Sequence, residues 1–327
     1  MTRKNPNGNI RAAVIGVGYL GEFHAQKYAG MPGVDLVGVA DIDRDRAEAV
    51  AGSLGTQPYS DYRELFGKVD AVSIVVPTSI HYKVSREFLD HDVDLLIEKP
   101  VTTTLEEADA LIRTAESRGL LIQVGHLERY NSAVVALKDI ITQPVFIESH
   151  RLSTFKPRAT DVSVVLDLMI HDIDIILNFV QSDPRSIHAA GMQVVSENVD
   201  IANARLEFKS GCVANVTASR ISMKDERKFR LFQQDAYISI DFSGHKATIV
   251  HRKPGETDAA DLIPGMEIET RTFPKGDSLD DELKSFIYSV RNRMEPSVTG
   301  QMGRDALKTA LDVMSQIHKT GSILKQT

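Results

Sequence analysis

The segment Asp167-Leu168-Met169-Ile170-His171 places a carboxylate and an imidazole one helical turn apart on one face of a helix. Earlier in the chain, Glu98-Lys99-Pro100 closes the apolar run Leu95-Leu96-Ile97. A lysine at the end of such a strand can reach into the crevice of an open α/β sheet, and the proline after it stiffens the strand end. Near the N-terminus, Gly16-Val17-Gly18-Tyr19-Leu20-Gly21 follows the apolar run Ala12-Ala13-Val14-Ile15 and opens a helix, and Asp41 closes the next apolar run. Glycines at these positions let the backbone turn sharply and approach a pyrophosphate seated on the helix N-terminus. Asp41 would accept hydrogen bonds from the adenosine ribose and repel a 2′-phosphate, so NAD is expected over NADP, with Arg44 and Arg46 close enough in sequence to offset that preference. A dinucleotide turn, a strand-end lysine and an acid–imidazole pair together point to hydride transfer from a hydroxyl that is also deprotonated.

Each feature also fits a plainer use. The glycines serve a tight strand–helix turn without a ligand. Lys99 taken alone fits an ion pair with Glu98 at the surface. Asp167 and His171 taken alone fit a helix-stabilising pair worth a few tenths of a kcal/mol. The helix around them is otherwise apolar, from Val164 through Leu177, and polar groups in so apolar a helix need partners or a site. Asp174 extends the pair into a three-ligand pattern, with His126 and His150 as outside candidates, but no fourth ligand stands nearby and no metal is expected.

The bulk properties bound these readings. A chain of 327 residues is longer than one ordinary core serves, and 42% hydrophobic with 25% charged residues is the composition of a folded enzyme. A net charge of −7 argues against nucleic acid as the main partner. The single cysteine, Cys212, cannot form an intramolecular disulfide. The first residues lack the apolar core of a signal peptide, and no apolar run is long enough to span a bilayer, so a cytoplasmic protein without a membrane partner is expected.

Residues 11–124 alternate apolar strands with helices, including one opened by an Asp43 cap and one opened by a Thr104–Glu107 capping box. This predicts a doubly wound parallel sheet of Rossmann type over residues 1–125. Residues 126–327 change texture. A helix over about 164–180 carries Asp167 and His171, and strands at Ala202–Phe208, Ala214–Ser219 and Ile238–Phe242 alternate strictly. That pattern predicts an α+β domain with a large, mostly antiparallel open sheet, whose polar face suits a subunit interface in a homodimer or homotetramer. Residues 254–276, with three prolines and three glycines, read as loop. Two helices close the chain, and the one over about 304–320 is a candidate to pack back on the first domain.

The glycine turn, Asp41, Glu98-Lys99-Pro100 and Asp167-x-x-x-His171, in this order, resemble the Gfo/Idh/MocA family of oxidoreductases over nearly the whole chain. The resemblance implies catalytic roles for Lys99, Asp167 and His171, with the histidine as acid/base. It implies a cofactor site from Gly16, Gly18, Tyr19, Leu20, Gly21, Asp41, Pro77, Thr78, His81, Glu98 and Lys99. One departure is Asp161-Val162-Ser163-Val164-Val165, where many relatives carry a glycine run. The segments Gly125–Asn131, Phe146–Leu152 and Val165–Asp174 are similar to the branch that oxidises UDP-N-acetylglucosamine at the 3-hydroxyl for lipid A synthesis. That implies a nucleotide-sugar substrate, with His126, Arg129, Arg151 and Arg158 as substrate contacts. Arg151, Lys156 and Arg158 form a basic cluster suited to phosphate, or equally to a solvated loop. A free polyol, inositol or dihydrodiol is the alternative substrate, and a non-catalytic NAD-binding regulator the alternative function.

Overall fold

The apolar runs of the N-terminal part pair in parallel, as strands buried on both faces do. In the computed structural model, which describes residues 8–156, 162–252 and 265–324, they form β1 (Ile10–Ile15), α1 (Tyr19–Gly30), β2 (Val34–Ala40), α2 (Arg44–Leu54), β3 (Gln57–Tyr59), β4 (Ala71–Ile74), α3 (His81–Asp90), β5 (Asp94–Glu98), α4 (Leu105–Arg118) and β6 (Ile122–Gly125). The strand order is β3-β2-β1-β4-β5-β6, so it reverses between β1 and β4. Ligands of open α/β sheets bind outside the carboxyl ends of the strands at such a reversal. The expected caps are present: Asp43 accepts from the N–H of Arg46, and Thr104 and Glu107 form a reciprocal box.

The later elements are α5 (Ser132–Leu137), β7 (Pro144–Leu152), a π-helical turn (Val165–Met169) running into α6 (Ile170–Val180), β8 (Pro184–Met192), β9 (Ile201–Phe208), β10 (Val213–Ser219), β11 (Glu226–Gln233), β12 (Ala236–Asp241), β13 (Lys246–Arg252), β14 (Met266–Thr272), α7 (Ser278–Asn292) and α8 (Gly300–Leu324). Eight strands form one open sheet in the order β14-β13-β12-β11-β7-β10-β9-β8. Its pairs are antiparallel except β7 with β10. The strict alternation does what it predicts: Ala202, Ala204, Leu206, Ala214, Val216 and Ala218 are all buried. The stretch read as loop contains a strand. Met266–Thr272 pairs with β13 as the sheet edge, where flanking prolines and glycines disturb only one ladder.

The fold has two compact units, and their division differs from the expected boundary. Residues through Leu127 cluster with Asp277–Leu307, and Glu128–Gly276 cluster with Lys308 onward. The reason is the apolar stripe of α7. Leu283, Phe286, Ile287 and Val290 lie in the same buried cluster as Tyr28, Val14, Val39 and Leu96 of the nucleotide-binding unit. Gln123 donates to the Glu282 carbonyl, and Arg293 pairs with the buried Asp94 at 2.6 Å. α8 begins in the first unit and belongs to the second from Lys308.

Candidate active site

In the first unit the glycine turn is built as its sequence requires. Gly16 has φ +87°, and a Cβ on it would stand 2.5 Å from the Val75 carbonyl oxygen. A Cβ on Gly21 would stand 1.9 Å from the carbonyl oxygen of Gly16. These two contacts lock β1, α1 and the end of β4 together. Gly18 differs, because a Cβ there would meet nothing within 4 Å. It is the N-cap of α1 and brings no side chain, so a ligand can approach the backbone at the start of the helix. A dinucleotide diphosphate fits such a cradle. The adjoining cavity, about 730 Å³, is lined by Gly16, Gly18, Asp41, Arg46, Tyr62 and Pro77 among others. Tyr19 is exposed and stands edge-on to Phe23, and Leu20 is half-buried.

Asp41 braces the turn itself, which its position in sequence did not show. One carboxylate oxygen accepts the N–H of Val17 at 2.8 Å, inside the glycine turn, and the other accepts the N–H of Asp43 at 2.9 Å. Arg46 stands 3.7 Å from the same carboxylate. Asp41→Ser is therefore expected to raise KM for NAD by about 10-fold or more, the worth of one charged hydrogen bond. The gain with NADP should be smaller than the loss with NAD, because the Val17 N–H is released as well. Comparing KM for both cofactors in both proteins checks this. An unmutated protein that uses NADP as well as NAD would overturn the ribose assignment.

Two buried imidazoles flank the Glu98-Lys99-Pro100 segment, and one of them is bonded to it. His24, on α1 and fully buried, places Nε2 3.3 Å from Glu98. The other oxygen of Glu98 accepts the backbone N–H of Lys99 at 3.3 Å. His81 lies 2.9 Å by Nδ1 from the Pro100 carbonyl and 2.8 Å by Nε2 from the Val76 carbonyl. Burial pushes the His81 imidazole below its ordinary range, opposed by those two carbonyls, and the neutral ring donates to one of them. His81 thus ties the loop after β4 to the loop after β5, and Thr78 begins the short turn leading to it. The Lys99 side chain is half-buried and His126 is buried, both in this unit.

In the second unit, α6 is buried on nearly all sides, and its acids find partners. Asp174 accepts two N–H groups of Arg129 at 2.6 and 2.9 Å. Asp172 accepts two from Arg151 at 2.9 and 3.0 Å, while Arg151 also donates to Glu128 at 2.8 Å. Burial pushes the Glu128 carboxyl up, but the charge and hydrogen bond of Arg151 outweigh this and hold it below the usual carboxylate range. Asp174 is thereby committed to Arg129, and among the described residues no group of three His, Cys, Asp or Glu side chains is placed to hold a metal ion. Asp167 and His171 remain half-buried. Asp167 lies in the π-helical turn and His171 in the first turn of α6, so the pair does not sit on one regular α-helix as the spacing suggested. Wide turns of this kind are frequent at functional sites.

Asp167 lines a cavity of about 450 Å³ with Arg151, Thr154, Lys156, Arg220 and Arg227. Arg129 and Arg151, read from sequence as substrate contacts, have their forks engaged by buried carboxylates, because burial obliges an arginine to pair. Arg158 lies outside the described residues. Arg220 and Arg227 were not singled out from sequence. The parity of β11 carried a signal, since Arg227 shares a face with the buried Phe229 and Leu231. His150, the other metal candidate, is exposed near Glu226.

A Rossmann unit with an open dinucleotide cradle, joined in one chain to a unit bearing an acid–imidazole pair on a buried helix, defines an NAD-binding oxidoreductase. The family models agree: residues 10–126 match the oxidoreductase family with NAD-binding Rossmann fold, and residues 141–250 match the GFO/IDH/MocA C-terminal domain. The chain belongs to the Gfo/Idh/MocA oxidoreductase family. It is 39% identical, over 93% of its length and 96% of the relative's, to UDP-N-acetylglucosamine 3-dehydrogenase of Acidithiobacillus ferrooxidans. A solved structure of that enzyme superposes with a TM-score of 0.88 at 37% identity, covering 94% of this chain and 98% of the other. The scyllo-inositol 2-dehydrogenase (NAD(+)) of Bacillus subtilis is 30% identical over 89% of each chain.

Proposed function

We propose that the protein is an NAD-dependent dehydrogenase of a nucleotide diphosphate sugar, oxidising UDP-N-acetylglucosamine at the 3-hydroxyl. The observation that carries this reading is the end-to-end similarity to the Acidithiobacillus ferrooxidans enzyme. The cavity that joins Asp167 to several cations supports it. His171 takes the proton of the reacting hydroxyl, and Asp167 favours the imidazolium that results. The Lys99 ammonium donates to the oxygen as negative charge grows on it. NAD, when bound, supplies the acceptor for the hydride leaving the same carbon. The alcohol becomes a ketone, and its proton passes through His171 to solvent. In this reading the enzyme is a cytoplasmic homo-oligomer, and the 3-keto sugar is a precursor for lipid A.

The 30% identity to an inositol dehydrogenase motivates a second reading, oxidation of a free polyol. A panel of UDP-sugars, free N-acetylglucosamine and inositols, followed by NADH absorbance, separates the two. UDP-N-acetylglucosamine is expected to be oxidised far faster than the free sugar at matched concentration. Equal rates with both would remove the nucleotide-sugar reading. Turnover of inositol alone would establish the polyol reading.

A further inference from the structure

The three central strands of the second sheet, β11, β7 and β10, lie side by side. β10 runs parallel to β7 with Ser219 opposite Leu152, and β11 runs antiparallel with Arg227 opposite Arg151. These directions bring the end of β7, the end of β10 and the start of β11 together at one end of the sheet's strands. Each contributes an arginine there: Arg151, Arg220 just past β10, and Arg227. All three line the cavity that contains Asp167. Like charges directly opposite each other on a ladder are destabilising, and here the carboxylates of Glu128 and Asp172 offset them.

The arginines are not equivalent. Arg151 is buried between Asp172 and Glu128. Arg220 is buried, donates to the Val162 carbonyl and lies 4.0 Å from Asp200, which itself accepts three backbone N–H groups. Arg227 is more than half exposed, and its ion-pair contact is a long one, 3.6 Å to Glu128, whose same oxygen already accepts from Arg151 at 2.8 Å. Lys156 is exposed on the same cavity, facing the charge of Asp225, whose carboxylate is held by the N–H and hydroxyl of Thr154.

We infer that Arg227, with Lys156, is the grip for the diphosphate of the substrate, and that Arg151 and Arg220 are positioning groups behind it. The inference rests on the nucleotide-sugar reading above and deepens it. A guanidinium that faces solvent and holds one long ion pair can turn its planar fork to phosphate oxygens at little cost. A guanidinium clamped by a buried carboxylate cannot. Arg151 fixes Glu128, and Glu128 in turn holds Arg227 at the cavity wall. The acid at the same cavity, Asp167, suits sugar hydroxyls and repels phosphate, so the two chemistries divide along its wall.

The test uses the full chain, with UDP and uridine as probes. In the unmutated protein UDP is expected to bind by calorimetry far more tightly than uridine and to compete with UDP-N-acetylglucosamine. Arg227→Ala and, separately, Lys156→Ala are expected to raise KM for UDP-N-acetylglucosamine and Kd for UDP about 10- to 100-fold. KM for NAD, the affinity for uridine and the melting temperature should stay unchanged. Arg227→Lys should restore the affinity only in part. Lys209→Ala, which removes an exposed charge elsewhere, should change nothing and so excludes a general effect of net charge. If UDP-N-acetylglucosamine is a good substrate but neither variant shifts KM or Kd, the grip is wrong and the proposed function stands. If UDP-N-acetylglucosamine is not oxidised, the function is wrong, and the UDP titrations still decide the grip. Equal affinity for UDP and uridine in the unmutated protein overturns it.

Discussion

His171→Ala is expected to lower kcat by about 10²- to 10⁴-fold, the range for loss of a general acid–base group, with NAD affinity kept. Lys99→Met is expected to cost at least about 10²-fold, as for removal of a donor to a developing oxyanion. The fold should survive both changes. His171 is half-buried on a helix whose packing comes from Ile170, Ile173, Ile175 and Ile176, all fully buried. Lys99 is half-buried, and the loop it opens is tied by His81 through the Pro100 carbonyl. Steady-state kinetics with separate NAD titrations decide the matter. A histidine acting on the proton should also shift the pH profile of kcat/KM when replaced, whereas one acting only on structure would lower the melting temperature. Unchanged turnover in either variant removes that residue from the mechanism.

Arg151→Ala is expected to be the most damaging single change outside the reacting groups, costing about 3–5 kcal/mol of stability. It leaves the carboxylate of Asp172, fully buried on α6, without its two donors, and strips Glu128 of its shortest bond. Domains are held by about 5–15 kcal/mol in all, so the second unit should melt early or fail to accumulate. Arg151→Met with Asp172→Leu should recover part of the loss, because the buried Asp172 charge leaves with its partner while Glu128 still lacks its shortest bond. Urea unfolding of the three proteins checks this. The network also sets a pH limit. Glu128 titrates below its ordinary value in the folded protein, so its contribution is full above that ordinary value and is lost as pH falls through the lower folded one. Stability should therefore decline on the acid side, and the decline should be shallower in Glu128→Gln, while Asp200 and the other carboxylates held below their ordinary values keep their share of it.

The first unit was legible because its signals are local. A glycine that must turn, an aspartate that must cap and a strand that must be buried on both faces each declare themselves within a few residues, and Gly16, Asp43 and Ala71–Ile74 behave accordingly. The helix over residues 164–180 was legible as apolar with four titratable intruders, but how they sort was not. Asp172 and Asp174 answer to Arg151 and Arg129, partners that only tertiary folding supplies, which left Asp167 and His171 as the half-buried pair. The π-helical turn was hidden because its residues are as apolar as those of the α-helix that follows. Arg151 read as a phosphate ligand because sequence shows a charge and not what neutralises it. β14 was missed because turn residues on both sides outweighed its short alternation.

The return of α7 to the nucleotide-binding unit has a consequence for the order in which the chain can fold as it is made. Domains generally fold as they emerge, N-terminal first. Here the core around Tyr28, Val14 and Val39 is incomplete until Phe286, Ile287 and Val290 leave the ribosome. By then every strand of the second sheet has already been synthesised. The unit encoded first is thus finished late, and its apolar sheet face must wait through the synthesis of the whole intervening sheet. A chain ending anywhere between residues 128 and 276 lacks α7, and so lacks Leu283, Phe286, Ile287 and Val290 from that core.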